Sequence, residues 1–266
     1  MELLHALLLG IVQGMTEFFP VSSSGHLVFV PYLFGWEDQG IVFDTVVHGG
    51  TLTALLWVFW GDLSRGVQTA LTKRDTASTL FFTRLAVAAL PALLAGGLLG
   101  GFIEATLRSP LVVAAGLAGW GVVLYAADRW CATHTPTVTD PKKVYWARAL
   151  LVGCAQAFAI IPGTSRSGIT MTAGLFLEMD RKTAVDFSFF LSIPTVAAAF
   201  AYGLFRMVQQ GAIADHIGML IVGFIAAALT GFAAIRFLRS YVATHSFRPF
   251  VWYRLILAAL ILLLVL

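Results

Sequence analysis

The sequence predicts an all-α polytopic membrane protein with six transmembrane helices and two re-entrant helical hairpins in an inverted-topology repeat. Three observations support this fold class: the composition, the lengths of the apolar stretches, and a similarity between the two halves of the chain. Hydrophobic residues make up 59% of the 266 residues and charged residues only 12%. Because this leaves too little polar surface for a water-soluble domain of that size, we expect residues 1–266 to form a single membrane domain.

The composition also argues against several classes of function. Cys131 and Cys154 are too few and too far apart in sequence for a disulfide framework or a thiolate metal site. The net charge of +3 is modest and no basic run alternates with aromatic residues, so we expect no nucleic acid partner. The first twenty residues hold Glu2 and His5 but no Lys or Arg, so they do not resemble a signal peptide and we expect them to remain.

Six apolar stretches are long enough to cross a bilayer. A spanning helix needs about 20 apolar residues because the hydrocarbon core is about 30 Å thick. The stretches that approach this length are 41–60, 85–102, 111–127, 187–205, 217–237 and 250–266. We therefore predict six crossings.

Two further apolar segments, residues 3–32 and 149–177, are interrupted in the middle. The interruptions are PVSSSG at 20–25 and PGTSRSG at 162–168. Pro ends a helix, Ser and Thr begin the next one, and Gly permits a tight reversal. Since neither arm is long enough to span, we predict two re-entrant hairpins. Non-helical backbone inside a membrane is tolerated only where protein or a polar cavity satisfies it, so such hairpins are usually functional.

The two interrupted segments also resemble each other. A shift of 143 positions superimposes a set of five identical residues: Gly10, Gln13, Ser22, Ser24 and Gly25 recur as Gly153, Gln156, Ser165, Ser167 and Gly168. We predict repeat one at about 1–130 and repeat two at about 145–266, with the polar stretch 131–145 between them. Each repeat holds one hairpin and three crossings, and an odd number of crossings inverts the second copy.

The distribution of Lys and Arg predicts the orientation in a bacterial inner membrane. Segments on the side opposite the termini hold fourteen of these residues, Arg254 among them, against two on the side of the termini. Because Lys and Arg prefer the cytoplasmic side, both termini and the entry of the first hairpin are predicted to be periplasmic. The second hairpin then enters from the cytoplasm, and we expect the two tips to meet inside the bilayer.

The first hairpin offers groups for a cation and for an anion. Gln13 and Glu17 lie four residues apart at the carboxyl end of a helix, where their oxygens and the helix dipole favour Mg²⁺ or Ca²⁺. His26, one turn into the next helix, could exchange a proton near neutral pH. That helix opens with hydroxyls and free amides suited to phosphate, at Ser22, Ser23, Ser24 and Gly25.

The second hairpin repeats the anion-binding pattern and adds a fixed positive charge. Its hydroxyls belong to Thr164, Ser165 and Ser167. Arg166 lies between two of them and can grip phosphate with two parallel hydrogen bonds. We therefore expect both tips to contact one anionic ligand.

Each of these features also has a plainer structural explanation. Glu17 could reach interfacial water, Arg166 could snorkel to the surface, and His26 could be a satisfied structural donor. The serines could be ordinary helix caps. Their combination favours the anionic ligand, because one charged residue at the membrane centre already costs about 2.5 to 3.5 kcal/mol.

Two other groups of residues are interpreted as structural. Asp44, His48 and Thr51 share a helical face and are expected to satisfy hairpin backbone. A stripe of small residues is expected to pack against another helix of the same chain, with a homodimer as the alternative. This stripe consists of Gly96, Gly97, Gly100 and Gly101.

The motifs resemble those of the UppP/BacA family of undecaprenyl-diphosphate phosphatases. The resemblance rests on QGMTEFFPVSSSGH at 13–26 and PGTSRSG at 162–168, with weaker signatures at 43–48 and 187–194. It implies hydrolysis of a polyprenyl diphosphate lipid to the monophosphate carrier of peptidoglycan synthesis, a divalent cation, and bacitracin resistance when the protein is abundant. Besides this lipid substrate, membrane lipids are the expected partners.

The resemblance also implies roles for individual residues. It puts the reacting hydroxyl at Ser23, assisted by Glu17 and His26, with Arg166 holding the diphosphate. The alternatives are attack by His26 or by water, with Ser23 as a hydrogen-bond donor. The family's first motif begins with Glu or Gln, and here it begins with Gln13, so a metal site would hold one carboxylate fewer than in members with Glu.

A transporter or flippase of a lipid phosphate or small anion is the alternative function, because secondary transporters also use inverted repeats with broken helices. Glu17 aligns with Ile160, and Ser23 aligns with Arg166. Since catalysis needs unlike groups that converge and alternating access alone does not, this asymmetry favours an enzyme.

Overall fold

The computed structural model describes residues 2–72, 76–107, 109–210 and 217–265. Within these ranges no β-structure occurs beyond an isolated bridge between Val138 and Met179. Ten α-helices follow one another along the described chain: α1 (Leu3–Phe18), α2 (Ser23–Phe34), α3 (Gly40–Thr72), α4 (Thr76–Thr106), α5 (Pro110–Thr133), α6 (Trp146–Ala157), α7 (Arg166–Phe176), α8 (Arg181–Gln210), α9 (Ile217–Tyr241) and α10 (Arg248–Val265).

Six of the described helices are long and apolar enough to cross a membrane: α3, α4, α5, α8, α9 and α10. They contain the predicted stretches, the last of them as far as residue 265, so the all-α polytopic fold class is confirmed. Two short helices followed by three long ones occur twice along the chain. This order of helices occurs once in each predicted repeat, whereas the exact boundaries of the repeats stay a prediction.

The helices break at the two predicted interruptions. Residues 19–22 separate α1 from α2, and residues 158–165, partly a short 3-10 turn, separate α6 from α7. Ser22 and Ser165, which the repeat aligns, are the N-cap residues of α2 and α7, and both have a φ of 72°. A serine with positive φ is uncommon, so the two breaks share an unusual backbone turn. Their depth in a bilayer stays a prediction.

Close helix contacts cross between the halves. α1 packs against α9, where a Cβ added to Gly10 would lie 2.6 Å from the carbonyl oxygen of Gly223. α6 packs equally closely against α4, where Gly153 faces the carbonyl of Ala88. The first helix of each half therefore packs against the fourth helix of the other half. These two helix contacts hold both interrupted segments inside the helix bundle.

An aromatic core supports the end of α1. Phe18 is fully buried and packs edge-to-face on Phe189 of α8, with ring centroids 5.5 Å apart. Phe59 of α3 and Phe81 of α4 extend this cluster through contacts with Phe190. Because such pairs contribute about 0.5 to 1.5 kcal/mol beyond area burial, they fix the turn of α1 that carries the adjacent residue, Glu17.

The connection between the halves is tied to the loop that follows α7. The Glu178 carboxylate accepts hydrogen bonds of 2.7 Å from the Thr137 hydroxyl and from the Arg148 guanidinium. The Thr137 hydroxyl, with Arg148 beside it, lowers the pKa of this exposed carboxyl below its ordinary value. The polar connection between the two halves and the loop after the second interrupted segment are thus joined outside the spanning helices.

The glycine stripe on α4 does not pack as expected. A Cβ added at Gly96, Gly97, Gly100 or Gly101 would meet no described heavy atom within 4 Å. The described residues therefore do not provide the predicted internal contact. Spacing shows that residues share a face, whereas the element that the face meets is decided by the tertiary fold.

Candidate active site

The two interrupted segments meet at a cavity of about 240 Å³. Its polar lining comes from both segments and from the long helices α3 and α8: Glu17, Ser22, Ser23, Ser24, His48, Gln156, Ser165, Arg166 and Thr195. Its apolar lining is formed by Ala92, Ala159, Ile160, Val196 and Ala199. The cavity therefore combines ionic and hydroxyl groups with an apolar wall, inside a bundle of apolar helices.

Glu17 is the centre of the polar network. One carboxylate oxygen, Oε1, accepts a hydrogen bond of 2.6 Å from Nη2 of Arg166. The other, Oε2, accepts from the Ser23 hydroxyl at 2.5 Å and from Nε2 of Gln13 at 3.0 Å. Glu17 is only 6% exposed, so its charge depends on these donors. The structure thus joins a residue of each interrupted segment in one buried ion pair.

Ser23 lies at the N-terminus of α2 with its hydroxyl directed at this carboxylate. A hydroxyl and a carboxylate at hydrogen-bond distance form the arrangement of a nucleophile and its base. Free amides at the start of α2, together with the helix dipole, favour an anion next to the same hydroxyl. Ser22 and Ser24 flank Ser23 in the cavity wall, with their own hydroxyl oxygens 3.4 Å apart.

The second segment contributes fewer of its predicted groups to the cavity. Ser165 lines it, and the Ser165 hydroxyl oxygen also accepts from the backbone N–H of Gly168. The Ser167 hydroxyl instead donates to the carbonyl of Phe19 at 2.9 Å, which fastens the two segments together. The Thr164 hydroxyl is buried with no hydrogen-bond partner in the described chain and does not line the cavity.

His26 and Gly25 lie behind the cavity wall. Nδ1 of His26 is 2.7 Å from the carbonyl oxygen of Ser22, and Nε2 is 2.6 Å from the Tyr253 hydroxyl. Because a carbonyl can only accept, this geometry assigns the proton to Nδ1 and leaves Nε2 to accept from Tyr253. A Cβ added at Gly25 would lie 3.2 Å from Val113, so this position allows α5 to approach closely. The structure does not bring His26 into the group formed by Glu17, Ser23 and Arg166.

His48 lines the cavity, although its helical face was expected to have only a structural role. Its Nε2 lies 3.6 Å from Oε2 of Glu17, and its Nδ1 donates to the carbonyl of Asp44. Thr51 donates to the carbonyl of His48, and the Asp44 carboxylate accepts from Gln39. In these contacts His48 and Thr51 bond within α3 or reach Glu17, and they do not satisfy hairpin backbone as expected. A polar face on a membrane helix was the available signal, but its orientation toward α1 was not visible in sequence.

Arg254 is the second functional residue that was missed. It is fully buried in α10, and its guanidinium donates to five backbone carbonyls at 3.0 to 3.1 Å: those of Pro20, Gly163, Thr164, Gly116 and Leu117. It therefore satisfies carbonyls in both interrupted segments and positions them against α5. Counting Arg254 as a cytoplasmic charge was wrong, and the charge difference between the two sides is one residue smaller. An arginine within an apolar helix was itself the signal.

The donor set fits a divalent cation only if a substrate supplies further ligands. The described residues contain no group of three or more His, Cys, Asp or Glu placed to hold a metal ion. Gln13 is fully buried and does not line the cavity; its Nε2 donates to the Glu17 carboxylate, and its Oε1 has no hydrogen-bond partner among the described residues. Mg²⁺ is commonly held by one or two carboxylates together with substrate phosphates, and a carboxylate with an amide oxygen is compatible with that pattern.

The arrangement as a whole suits phosphoryl chemistry. It offers a hydroxyl with a base, a guanidinium, and the N-termini of α2 and α7 on one cavity. These groups can bind a phosphate and stabilise charge that develops on it.

Comparison with known proteins agrees with this chemistry. Residues 6–260 match the family model described as bacitracin resistance protein BacA. The chain is 42% identical to undecaprenyl-diphosphatase 2 of Stutzerimonas stutzeri, over 99% of this chain and 98% of the relative. It is 42% identical to an undecaprenyl-diphosphatase of Pelotomaculum thermopropionicum (96% and 94% covered) and 40% identical to one of Idiomarina loihiensis (99% and 99%). The chain therefore belongs to the BacA family.

Proposed function

We propose that this protein is an integral-membrane phosphatase that hydrolyses undecaprenyl diphosphate to undecaprenyl phosphate and inorganic phosphate. The observation that carries the proposal is the contact of Glu17 with both Ser23 and Arg166 in one cavity. Relatives that align over nearly the whole chain are named undecaprenyl-diphosphatases. The product would return the lipid carrier to peptidoglycan synthesis.

In the proposed reaction, Ser23 is the nucleophile and Glu17 is its base. Glu17 takes the hydroxyl proton while Oγ of Ser23 forms a bond to the terminal phosphorus. The bond from this phosphorus to the bridging oxygen breaks, and undecaprenyl phosphate leaves. Water then attacks the phosphorus of the phosphoserine, and the bond from phosphorus to Oγ of Ser23 breaks, which releases inorganic phosphate. The proton that Glu17 took returns to Oγ of Ser23. Arg166 stabilises charge on the transferred phosphoryl group in both steps.

The surroundings of His26 favour Ser23 over His26 as the attacking group. Both ring nitrogens of His26 already have partners, the Ser22 carbonyl and the Tyr253 hydroxyl, and His26 itself does not line the cavity. We propose that His26 assists by positioning the carbonyl of Ser22 and hence the loop. Direct attack by water, with Ser23 as a donor, is the remaining alternative.

The other predicted site residues divide into two groups. Ser22, Ser24 and Ser165 line the cavity, and we propose that they bind phosphate oxygens. A second group shapes the segments from behind the wall, and consists of Gly25, Thr164 and Ser167.

A divalent cation, Mg²⁺ or Ca²⁺, is proposed as cofactor. Glu17 and Oε1 of Gln13 would hold it together with the phosphates of the substrate. When bound, such an ion neutralises phosphate charge. Glu17 retains its contacts with Ser23 and Arg166 as the base and anchor of the site.

A second cavity supports a lipid as the substrate. It measures about 210 Å³ and is lined only by apolar residues of α3, α4 and α8: Leu63, Phe82, Leu85, Ala86, Phe190, Ile193 and Pro194. Pro194 directly precedes Thr195 of the polar cavity, and Ala92 of α4 lies about 9 Å along its helix from Ala86. Both cavities therefore lie along the interface between α4 and α8, which would place a prenyl chain beside the diphosphate.

We propose that the protein lies in the bacterial inner membrane with both termini in the periplasm. The excess of Lys and Arg on the opposite side supports this orientation after removal of Arg254 from the count. Hydrolysis would then occur near the outer leaflet. A prenyl chain in the apolar cavity would extend from the site toward the C-terminal end of α3 and the N-terminal end of α4, deeper in the bilayer.

Phosphate release by purified protein tests the proposed function. In detergent there are no compartments, so a pure transporter or flippase cannot produce a signal. We expect wild-type protein to release one inorganic phosphate for each undecaprenyl phosphate formed, and Ser23→Ala purified in the same way to lose nearly all release. Transport by reconstituted wild-type protein without any release in detergent would identify a transporter instead.

A further inference from the structure

Gln156 lies at the end of α6 with an amide that has no partner. The side chain is 2% exposed, and neither Oε1 nor Nε2 has a hydrogen-bond partner in the described part of the chain. The residue lines the polar cavity together with Arg166 and Ser165. Because buried polar groups are nearly always hydrogen-bonded, two unpartnered atoms on one buried side chain require an explanation.

The internal repeat provides the contrast. Gln13 occupies the corresponding position of the first half, and its Nε2 donates to Glu17 one turn further along α1. In the second half the corresponding position is Ile160, which has no acceptor. The amide of Gln156 therefore lacks the internal partner that the amide of Gln13 has, although it is buried beside the cavity.

The chemistry of the cavity indicates which ligand would satisfy this amide. Arg166 and the serines supply donors, and the Glu17 carboxylate already accepts from Arg166, Ser23 and Gln13. A diphosphate brings many acceptor oxygens next to Gln156, and Nε2 is the donor that can reach them. Oε1 can accept from a protonated phosphate oxygen or from a bound water.

We propose that Gln156 is a substrate-binding residue whose amide donates to a phosphate oxygen of the diphosphate. This inference rests on the proposed function, since it assigns the ligand of the same cavity. Gln156 contacts the substrate in the ground state and in the transition state alike, so its loss affects binding rather than the chemical step.

The variant Gln156→Met tests the proposal because it keeps the length of the side chain and removes both polar atoms. We expect KM to rise about ten- to a hundredfold with kcat nearly unchanged, as for loss of a hydrogen bond to a charged group. We also expect the melting temperature of the substrate-free protein to stay equal or to rise, because an unsatisfied buried amide is removed. A structural glutamine would give the opposite pair of results, a lower melting temperature and an unchanged KM.

The matched control is Thr172→Val on α7, since Thr172 is buried but does not line the cavity. The Thr172 hydroxyl donates to the carbonyl of Gly168 in its own helix, so this variant should leave KM within about twofold. A second readout is the rise in melting temperature caused by a methylene diphosphonate analogue of farnesyl diphosphate. Wild type should show the rise and Gln156→Met should lose most of it. This result supports the binding role even if wild type hydrolyses nothing, whereas an equal rise in both proteins overturns it.

Discussion

Glu17 connects the two halves of the molecule at the scale of single residues. Its carboxylate holds Arg166 of the second segment and the Ser23 hydroxyl of the first. Removing one partner of a buried ion pair commonly costs about 3 to 5 kcal/mol, because the other charge is left uncompensated. Variants that keep a charge at each position are therefore more informative than alanine substitutions.

Arg166→Lys separates charge from geometry. Lysine supplies the positive charge for Glu17 and for phosphate but lacks the planar fork that makes two parallel hydrogen bonds. We expect KM to change by only a few-fold and kcat to fall about a hundredfold to a thousandfold, the usual effect of losing one transition-state donor. Steady-state kinetics on farnesyl diphosphate with titrated Mg²⁺ measure both constants.

The control is Arg65→Lys, since Arg65 is exposed, pairs with Asp62 and lines neither cavity. It should behave as wild type. Turnover of Arg166→Lys near the wild-type value would show that the guanidinium does not act in the transition state, and that the second segment only binds.

At the scale of elements, the interrupted segments were the most predictable part of the molecule. Pro, Gly and runs of Ser within apolar sequence located both breaks, and the repeat related Ser22 to Ser165, which share the same positive φ. Contacts between distant elements were not predictable in this way. The burial of Arg254 in α10 and the contact of His48 with Glu17 depend on how the helices rotate in the bundle.

Ser22→Gly and Ser22→Val test the importance of the turn. Glycine adopts positive φ freely and valine does so only under strain, because its Cβ is branched. We expect the melting temperature of Ser22→Gly to stay within about 3 °C of wild type, and that of Ser22→Val to fall by about 5 °C or more. Thermal unfolding in detergent measures both.

The same pair of variants separates the backbone of Ser22 from its hydroxyl. If the hydroxyl binds phosphate, Ser22→Gly should lose about tenfold in kcat/KM while it remains folded. Equal destabilisation by glycine and valine would show that the positive φ is not what restricts this position.

At the scale of the whole molecule, two halves with the same order of helices enclose a site whose polar groups differ between the halves. The first half provides Glu17 and Ser23, and the second provides Arg166 in the register of Ser23. The apolar cavity makes the environment asymmetric as well, because α3 and α4 of the first half line it together with α8 of the second. The glycine stripe faces outward on the same α4, and its contact with a second copy in a homodimer stays a prediction.

Ala86→Phe should reveal whether the apolar cavity holds the prenyl chain of the substrate. Ala86 lines this cavity and not the polar one, so a larger side chain would fill the space for the chain without touching the diphosphate. We expect KM for undecaprenyl and farnesyl diphosphate to rise about tenfold with kcat preserved, as for loss of an apolar pocket contact. The kcat/KM for isopentenyl diphosphate should not change, because five carbons are too few to reach the cavity.

The comparison of chain lengths makes this prediction specific, since a general defect would affect every substrate equally. Leu98→Phe is the matched control, because Leu98 lies on the same helix, is 79% exposed, and lines neither cavity. It should leave all three substrates unaffected. If Ala86→Phe changed kcat/KM for isopentenyl diphosphate as much as for farnesyl diphosphate, the substitution would be altering the catalytic cavity through the interface between α4 and α8. The prenyl chain would then leave the site by another route, and discrimination of the lipid substrate would depend on the diphosphate end alone.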